Sequence, residues 1–346
     1  MVEIRVGLVG YGTAGAYFHA PLIRATPGLG LAAVVTRDPG RRDEVVAKYG
    51  AAVVSDVSEL WDLCDLVVVA SPNRTHVGLA AAALTQGKPV VVDKPLAPTA
   101  EEARELVRLA KERELMLTVY QNRRWDGDFR TVRRLVEDGR LGRVLRFESR
   151  FERWRPVPKG GWRESGGTAE VGGLLYDLGS HLVDQALQLL GPVREVYCES
   201  DVRRDGVVSD DDTFVALTHG DGARSHLWMS AMAASPEPRF RVLGSAGAYL
   251  KHGMDVQEER LRAGMAPDAP GFGDDEEGRW GLLGTPDERR AVVTEPGAYL
   301  DFYRGVAAAL RDGGPPPVDP EGVVDVLTVI EAARLSATQR IVVHLS

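Results

Sequence analysis

The sequence predicts an α/β first domain, a parallel sheet covered by helices on both sides, followed by an α+β domain on an open, mainly antiparallel sheet. Three observations carry that class. Short apolar runs alternate with helical stretches through the first third of the chain, a glycine-rich turn follows the first run, and near residue 143 the apolar period drops to two.

The runs at 4–9, 31–36, 52–54, 66–70, 89–93 and 116–119 are apolar at consecutive positions, as strands buried on both faces must be. Between them, 14–25, 41–49, 75–86 and 100–112 read as helices. Thr99 followed by Glu101 and Glu102 makes an acidic start for the last of these. In 143–152 the pattern alternates: Leu145, Phe147 and Phe151 on one face, Arg146, Glu148, Arg150 and Glu152 on the other. Further strands are expected at 195–203, 213–218, 223–229, 240–243 and 248–251, with Gly220-Asp221-Gly222 as a hairpin turn. The stretch 264–286, rich in Gly, Pro and acid, reads as a long surface excursion. The domains are expected at 1–122 and 123–346.

At about 150 residues per domain, 346 residues suit two domains. Apolar residues at 44% and charged residues at 27% supply two cores and exclude a disordered chain. The net charge of −8 argues against nucleic acid or an anionic membrane as partner, since either calls for a basic surface. Cys64 and Cys198 form no disulfide framework and read as buried thiols in a reducing compartment. No segment approaches the ~18 consecutive apolar residues of a membrane span. The N-terminus has no cleavable apolar core, so a cytoplasmic location is expected.

Gly10-Tyr11-Gly12-Thr13-Ala14-Gly15 is G-x-G-x-x-G, placed directly after the first strand and opening the first helix. Gly10 suits a tight turn, Gly12 lets a pyrophosphate approach the backbone, and Gly15 lets helix and strand pack closely. The helix N-terminus then offers free N–H groups to the phosphates. In that context the motif predicts a Rossmann dinucleotide-binding domain.

The second strand ends at Thr36-Arg37, about 20 residues past the last glycine, where an NAD site usually carries Asp or Glu. A hydroxyl followed by a guanidinium favours a ribose 2′-phosphate, and Arg41 and Arg42 add charge nearby. NADP(H) is therefore the favoured cofactor. NAD(H) stays open, because Asp38 is placed to bind the 2′-hydroxyl instead.

Two further strands end in polar turns: Ser71-Pro72-Asn73-Arg74-Thr75-His76 and Asp93-Lys94-Pro95. Strand C-termini are where such sheets bind ligands. Later come Trp162-Arg163-Glu164, Gly172-Gly173 and Tyr176-Asp177-Leu178-Gly179-Ser180-His181. With the glycine fingerprint, this series resembles the glucose–fructose oxidoreductase/inositol dehydrogenase (Gfo/Idh/MocA) family across essentially the whole chain. Asp93 stands where that family usually has Glu before Lys-Pro. The stretch from Val119 through Tyr120, Gln121, Asn122, Arg123, Arg124 and Trp125 to Asp126, and the strand at 238–244, look most like the NADP-linked scyllo-inositol dehydrogenase branch.

The resemblance implies an NAD(P)-dependent dehydrogenase acting on a CH–OH group of an inositol or sugar polyol. It implies Lys94, Asp177 and His181 as catalytic residues. Cofactor contacts are expected from Ser71, Pro72, Asn73, His76, Asp93, Lys94, Asn122, Trp162 and Arg163, besides the glycine loop, Thr36, Arg37 and Arg41. Substrate contacts are expected from Lys94, Tyr120, Asn122, Arg124, Tyr176, Asp177 and His181. The family also implies a homodimer or homotetramer. Two other outcomes within it are an NAD-assisted glycosidase and an inactive sugar or dinucleotide sensor.

Asp177 and His181 lie one turn apart on a predicted helix, in a polar stripe with Asp184, Asp184's neighbour Gln185, and Gln188. Leu178, Leu182, Ala186 and Leu189 form its apolar stripe. Taken alone, such a polar stripe reads as a solvated face. His181 is expected to exchange the hydroxyl proton, since an imidazole starts near working pH. Lys94 would polarise the oxygen or share the proton, and Asp177 would orient His181 and substrate. His219, His226, His252 and His344 read as structural, Trp125, Trp154 and Trp228 as packing residues. No side-chain set has metal-ligand spacing, and none is needed for hydride transfer.

Overall fold

The computed structural model describes residues 3–158, 160, 164, 171–235 and 237–345. Its chain divides into two compact units. The first holds Met1–Asn122, Gln257–Phe272 and Ala298–Val324; the second holds Arg123–Val256, Gly273–Gly297 and Asp325–Ser346. The segments 257–272 and 298–324 thus leave the expected 123–346 domain. For the second segment the reason is burial: Tyr299, Phe302, Tyr303 and Val306 are wholly enclosed, with Phe302 against Tyr120 and Tyr303 bonded to His19.

Among the described residues, the first unit carries six parallel strands: β1 (Ile4–Val9), β2 (Leu29–Val35), β3 (Ala52–Val54), β4 (Leu66–Val69), β5 (Val90–Val92) and β6 (Leu117–Val119). Their order is β3-β2-β1-β4-β5-β6, which puts the order reversal between β1 and β4. Val67, Val68, Val69 and Val90–Val92 are all fully buried, which explains the unbroken apolar runs. The first helix is not uniform. A π-helical turn, Ala14–His19, runs into α1 (Ala20–Ala25), followed by α2 (Pro39–Tyr49), α3 (His76–Thr85) and α4 (Ala100–Glu112). Helix α2 starts two residues before its predicted position, because Asp38 caps it and Pro39 takes the first helical place.

The second unit holds α5 (Gly127–Glu137), α6 (Ser180–Leu190) and a mixed sheet. Its strands, among the described residues, are β7 (Val144–Glu152), β8 (Val193–Asp201), β9 (Asp212–His219), β10 (Arg224–Ser230), β11 (Phe240–Gly244), β12 (Ala248–Lys251), β13 (Gly281–Gly284), β14 (Arg289–Val292) and β15 (Val343–His344). They run in the order β14-β13-β12-β11-β7-β10-β9-β8-β15, antiparallel except for β7 with β10. Two helices complete the first unit, α7 (Gln257–Arg262) and α8 (Leu300–Asp312), and α9 (Pro320–Gln339) ends near the C-terminus.

The expected surface excursion at 264–286 is more ordered than its composition suggested. It contributes β13, and Asp275 forms a buried ion pair with Lys251 at 2.9 Å. A buried ammonium and carboxylate pair locally because neither can be left alone away from water. Trp154 is not a packing residue either: 55% of it is exposed. Cys64 and Cys198 are both buried free thiols. Among the described residues, no helix is long and apolar enough to cross a membrane, and no group of three or more His, Cys, Asp or Glu is set to hold a metal.

Candidate active site

The glycine loop sits at the C-terminal end of β1. Gly10 has φ +98°, and a Cβ there would lie 2.8 Å from the Ala70 carbonyl oxygen. A Cβ on Gly15 would collide with the Gly10 carbonyl oxygen. Both glycines are required by the protein's own backbone. Gly12 differs, because nothing lies within 4 Å of its Cβ position. Its missing side chain leaves room at the start of a helix where backbone N–H groups face outward, which fits a pyrophosphate. Gly12→Ala is therefore expected to leave the melting temperature unchanged while weakening dinucleotide binding about tenfold, roughly 1.4 kcal/mol. Gly15→Ala should lower the melting temperature itself. Thermal unfolding and nicotinamide fluorescence titration separate the two.

Tyr11 of the same loop is turned inward. It is 2% exposed and donates its hydroxyl to Glu44 at 3.2 Å, so only its backbone is available to a cofactor. Thr36 is buried at the end of β2, and Arg37 extends beside it, donating Nε to the Ser55 carbonyl at 3.1 Å. Arg41 is exposed, and Arg42 donates to the Ser55 hydroxyl at 3.3 Å. Asp38 Oδ1 accepts the Arg41 backbone N–H at 2.9 Å and so caps α2. Arg37 also lies 3.8 Å from the Asp56 carboxylate. Three guanidinium groups against the Asp38 and Asp56 carboxylates favour an anionic ribose substituent.

Beyond β4, the Ser71 and Thr75 hydroxyls bond each other at 2.5 Å, and Thr75 also donates to the Pro72 carbonyl at 2.7 Å. Pro72 is exposed, Ser71 and Asn73 half-buried. His76 is fully buried, with Nδ1 2.8 Å from the Pro95 carbonyl and Nε2 2.9 Å from the Ser71 carbonyl. Its ring ties the β4 turn to the β5 turn, leaving neither nitrogen for a cofactor. In that β5 turn Asp93 and Lys94 are half-buried, and Asp93 Oδ1 accepts the Lys94 backbone N–H at 2.9 Å.

The second unit presents Asp177 and His181 through a tightly specified turn. Gly173 has φ +93°, and a Cβ there would strike the Asp210 carboxylate. Asp210 accepts the Leu175 N–H at 2.7 Å and the Thr213 hydroxyl at 3.0 Å. Burial pushes its carboxyl above the usual range against these hydrogen bonds. Gly179 lies between Asp177 and His181 because a Cβ would come 2.9 Å from Met229 Sδ on β10. Asp177 is half-buried and His181 is 6% exposed, its ring 6.5 Å from that of Phe151.

The solvated-face reading of this helix fails at Asp184 and Gln185, both buried. Arg124 grips Asp184 bidentately, at 2.9 and 2.6 Å. Gln185 donates to the Arg123 carbonyl at 3.0 Å and accepts from Arg239 at 3.0 Å. Arg239 is 2% exposed, held between the rings of Phe151 and Phe240 at 4.3 and 4.0 Å. Polar residues on the helix thus anchor it to the sheet rather than meet water.

Several expected substrate residues are committed elsewhere. Arg124 is held by Asp184, and the Tyr176 hydroxyl accepts from Arg334 at 3.3 Å. Tyr120 is a core residue, 2% exposed, tilted against the His19 ring and edge-on to Phe302, and Asn122 is 6% exposed. Trp162 and Arg163 lie outside the described residues. Sequence reasoning missed His19, Tyr303, Asp210 and Arg239. Only His19 left a signal, as a polar side chain four residues past Gly15 on an otherwise apolar helix start.

Comparison with known proteins identifies the family. Residues 4–121 match the model of the oxidoreductase family with an NAD-binding Rossmann fold, and 129–250 match the Gfo/Idh/MocA C-terminal domain. The Escherichia coli oxidoreductase YdgJ is 41% identical, over 98% of this chain and 97% of its own length. The chain belongs to the Gfo/Idh/MocA family. Within it, the Bacillus subtilis scyllo-inositol 2-dehydrogenase (NADP(+)) IolW is 34% identical, over 97% of this chain and 94% of its own. Among solved structures, oxidoreductase YPO2259 from Yersinia pestis superposes with TM-score 0.93 at 39% identity, covering 100% of this chain and 98% of the other. The Gfo/Idh/MocA assignment makes the protein an NAD(P)-binding oxidoreductase.

Proposed function

We propose that the protein is an NADP(H)-preferring dehydrogenase or reductase for a CH–OH group of an inositol-like polyol or sugar. The observation that carries the cofactor half is the end of β2: Arg37 and Arg42 both reach Ser55 beside it, Arg41 follows in the first turn of α2, and Asp38 caps that helix. Likeness to IolW supports the polyol half.

The glycine loop, Thr36 and the arginines would hold the dinucleotide, which supplies the hydride acceptor or donor when bound. We assign the proton to His181, which takes it from the hydroxyl in oxidation and returns it in reduction. Lys94 Nζ holds the substrate oxygen as charge develops on it, and Asp177 orients His181 and a neighbouring hydroxyl. The half-burial of Lys94 and Asp177 suits both roles, because partial water exclusion strengthens charge interactions.

Initial rates by nicotinamide absorbance, across a panel of inositols and sugars with NADP and NAD in parallel, test this reading. Turnover with an inositol and a higher kcat/KM for NADP are expected. Equal or better kcat/KM with NAD overturns the arginine argument. A cofactor that copurifies tightly, with no net absorbance change, would instead favour the glycosidase. Arg37→Ala should weaken NADP more than NAD, since only NADP presents the extra phosphate.

We also propose that the chain acts in the cytoplasm as a homodimer or homotetramer. On one face of the sheet Phe214 packs against Trp228 with ring centroids 5.0 Å apart, and Arg150 lies over Trp228 at 3.9 Å. Light scattering after size exclusion should return a multiple of the 37.6 kDa chain.

A further inference from the structure

The π-helical turn that follows the glycine loop ends at His19, a side chain with no exposed surface. Its widened turn closes from the Ala20 N–H to the Gly15 carbonyl, one residue longer than an α-turn. His19 is held on three sides. Nδ1 lies 2.6 Å from the Tyr303 hydroxyl, the ring packs at a tilt against Tyr120 with centroids 4.6 Å apart, and Nε2 lies 3.8 Å from Asp93 Oδ1. Nε2 has no hydrogen-bond partner among the described residues, although it is completely buried. The same Asp93 oxygen accepts the Lys94 backbone N–H.

Hydrogen-bond arithmetic selects the tautomer. Tyr303 is wholly buried, and burial keeps its phenol protonated by raising it well above the ordinary range. Its O–H can donate to Nδ1, which leaves the hydrogen on Nε2, facing the carboxylate. In the imidazolium form Nε2 carries a hydrogen as well. The remaining tautomer would set a bare nitrogen lone pair against an anion in a buried site.

We propose that His19 is a positioning residue for Lys94: anchored by Tyr303, it acts through Asp93 to keep that carboxylate ionised at the turn carrying Lys94. This rests on the role given to Lys94 above. Among the described residues, the titratable groups facing Asp93 are His19, His76, Lys94 and the protonated phenol of Tyr303. Burial alone would raise the Asp93 carboxyl, but the His19 contact first, then His76 and the Lys94 ammonium, outweigh it and hold the group below its usual range. Asp93 is therefore ionised at neutral pH and becomes protonated only in acid. Without His19 the largest contribution opposing burial is lost, so protonation begins at higher pH and the acid limb of activity moves up.

The experiment joins wild-type spectroscopy to a variant series. Histidine-labelled 15N NMR of the wild-type protein should find Nε2 of His19 protonated; a bare Nε2 overturns the proposal. The pH profile of kcat/KM is then compared in His19→Leu, His19→Gln and Tyr303→Phe, with melting temperature and cofactor affinity recorded beside it. His19→Leu should shift the acid limb to higher pH. His19→Gln, whose amide N–H can reach toward Asp93, should recover much of that shift. Should His19→Leu not fold, His19→Gln, Tyr303→Phe and the tautomer carry the test. Superimposable profiles in wild type, His19→Leu and Tyr303→Phe overturn the proposal. Lys94→Met separates the two readings. Full turnover in that variant overturns both, whereas its loss beside an unshifted His19→Leu profile overturns this proposal alone.

Discussion

His181→Ala and Lys94→Ala are each expected to lower kcat by roughly 10²-fold or more, with dinucleotide affinity preserved. The two losses have different causes. His181→Ala removes the group that exchanges the hydroxyl proton, so small imidazole bases added to the assay should restore part of the rate. Lys94→Ala removes the charge that holds the developing alkoxide, so no added base should help. Lys94→Arg keeps the charge on a wider, planar head and should recover little, because the two cations differ in shape and hydration. Asp177→Asn should fall between, since orientation persists while the charge is lost. Near-wild-type turnover in either alanine variant would remove that residue from the mechanism.

The second large effect is on stability, at Arg239. Replacing it with methionine leaves the Asp128 carboxylate, 1% exposed, without the guanidinium that lies 3.8 Å from it. Breaking a buried pair by removing one partner costs about 3–5 kcal/mol, mostly through the charge left behind. Arg239 itself stays a cation: burial pushes its guanidinium down, to about 10, still far above neutral pH. Arg239→Met is thus expected to lower the denaturation midpoint clearly, whereas Arg239→Met with Asp128→Asn should regain a good part of the loss. A double-mutant cycle in urea measures that coupling. The single variant should also slow turnover, because Arg239 holds Gln185 one helical turn beyond His181. An unchanged midpoint in Arg239→Met would show that the buried cation contributes nothing to the fold.

Much of the site was legible because its signals are local. The glycine loop, the Thr36-Arg37 strand end, Asp93-Lys94 and the Asp177–His181 pair are each spelled out within a few consecutive residues. Strand ends and helix starts present such residues together whatever the rest of the chain does. Even Gly179, inside the Asp–His pair, acquired its reason only from Met229 on a separate strand.

By itself, then, the sequence determined the class of each half, the phosphate loop and the candidate acid–base residues, since hydrophobic period and short motifs depend only on neighbours along the chain. Tertiary structure decided which of the polar residues are structural. His76 became a strut between two turns, Tyr120 a core ring, and Asp184 and Gln185 anchors of a helix that periodicity alone would leave facing water. It also joined His19 to Tyr303, 284 residues away, and Gln185 to Arg239, 54 residues away. Such pairs carry no periodic signature. They arise when distant segments are packed into one core, where a buried polar group must find a partner and topology alone decides which one is within reach.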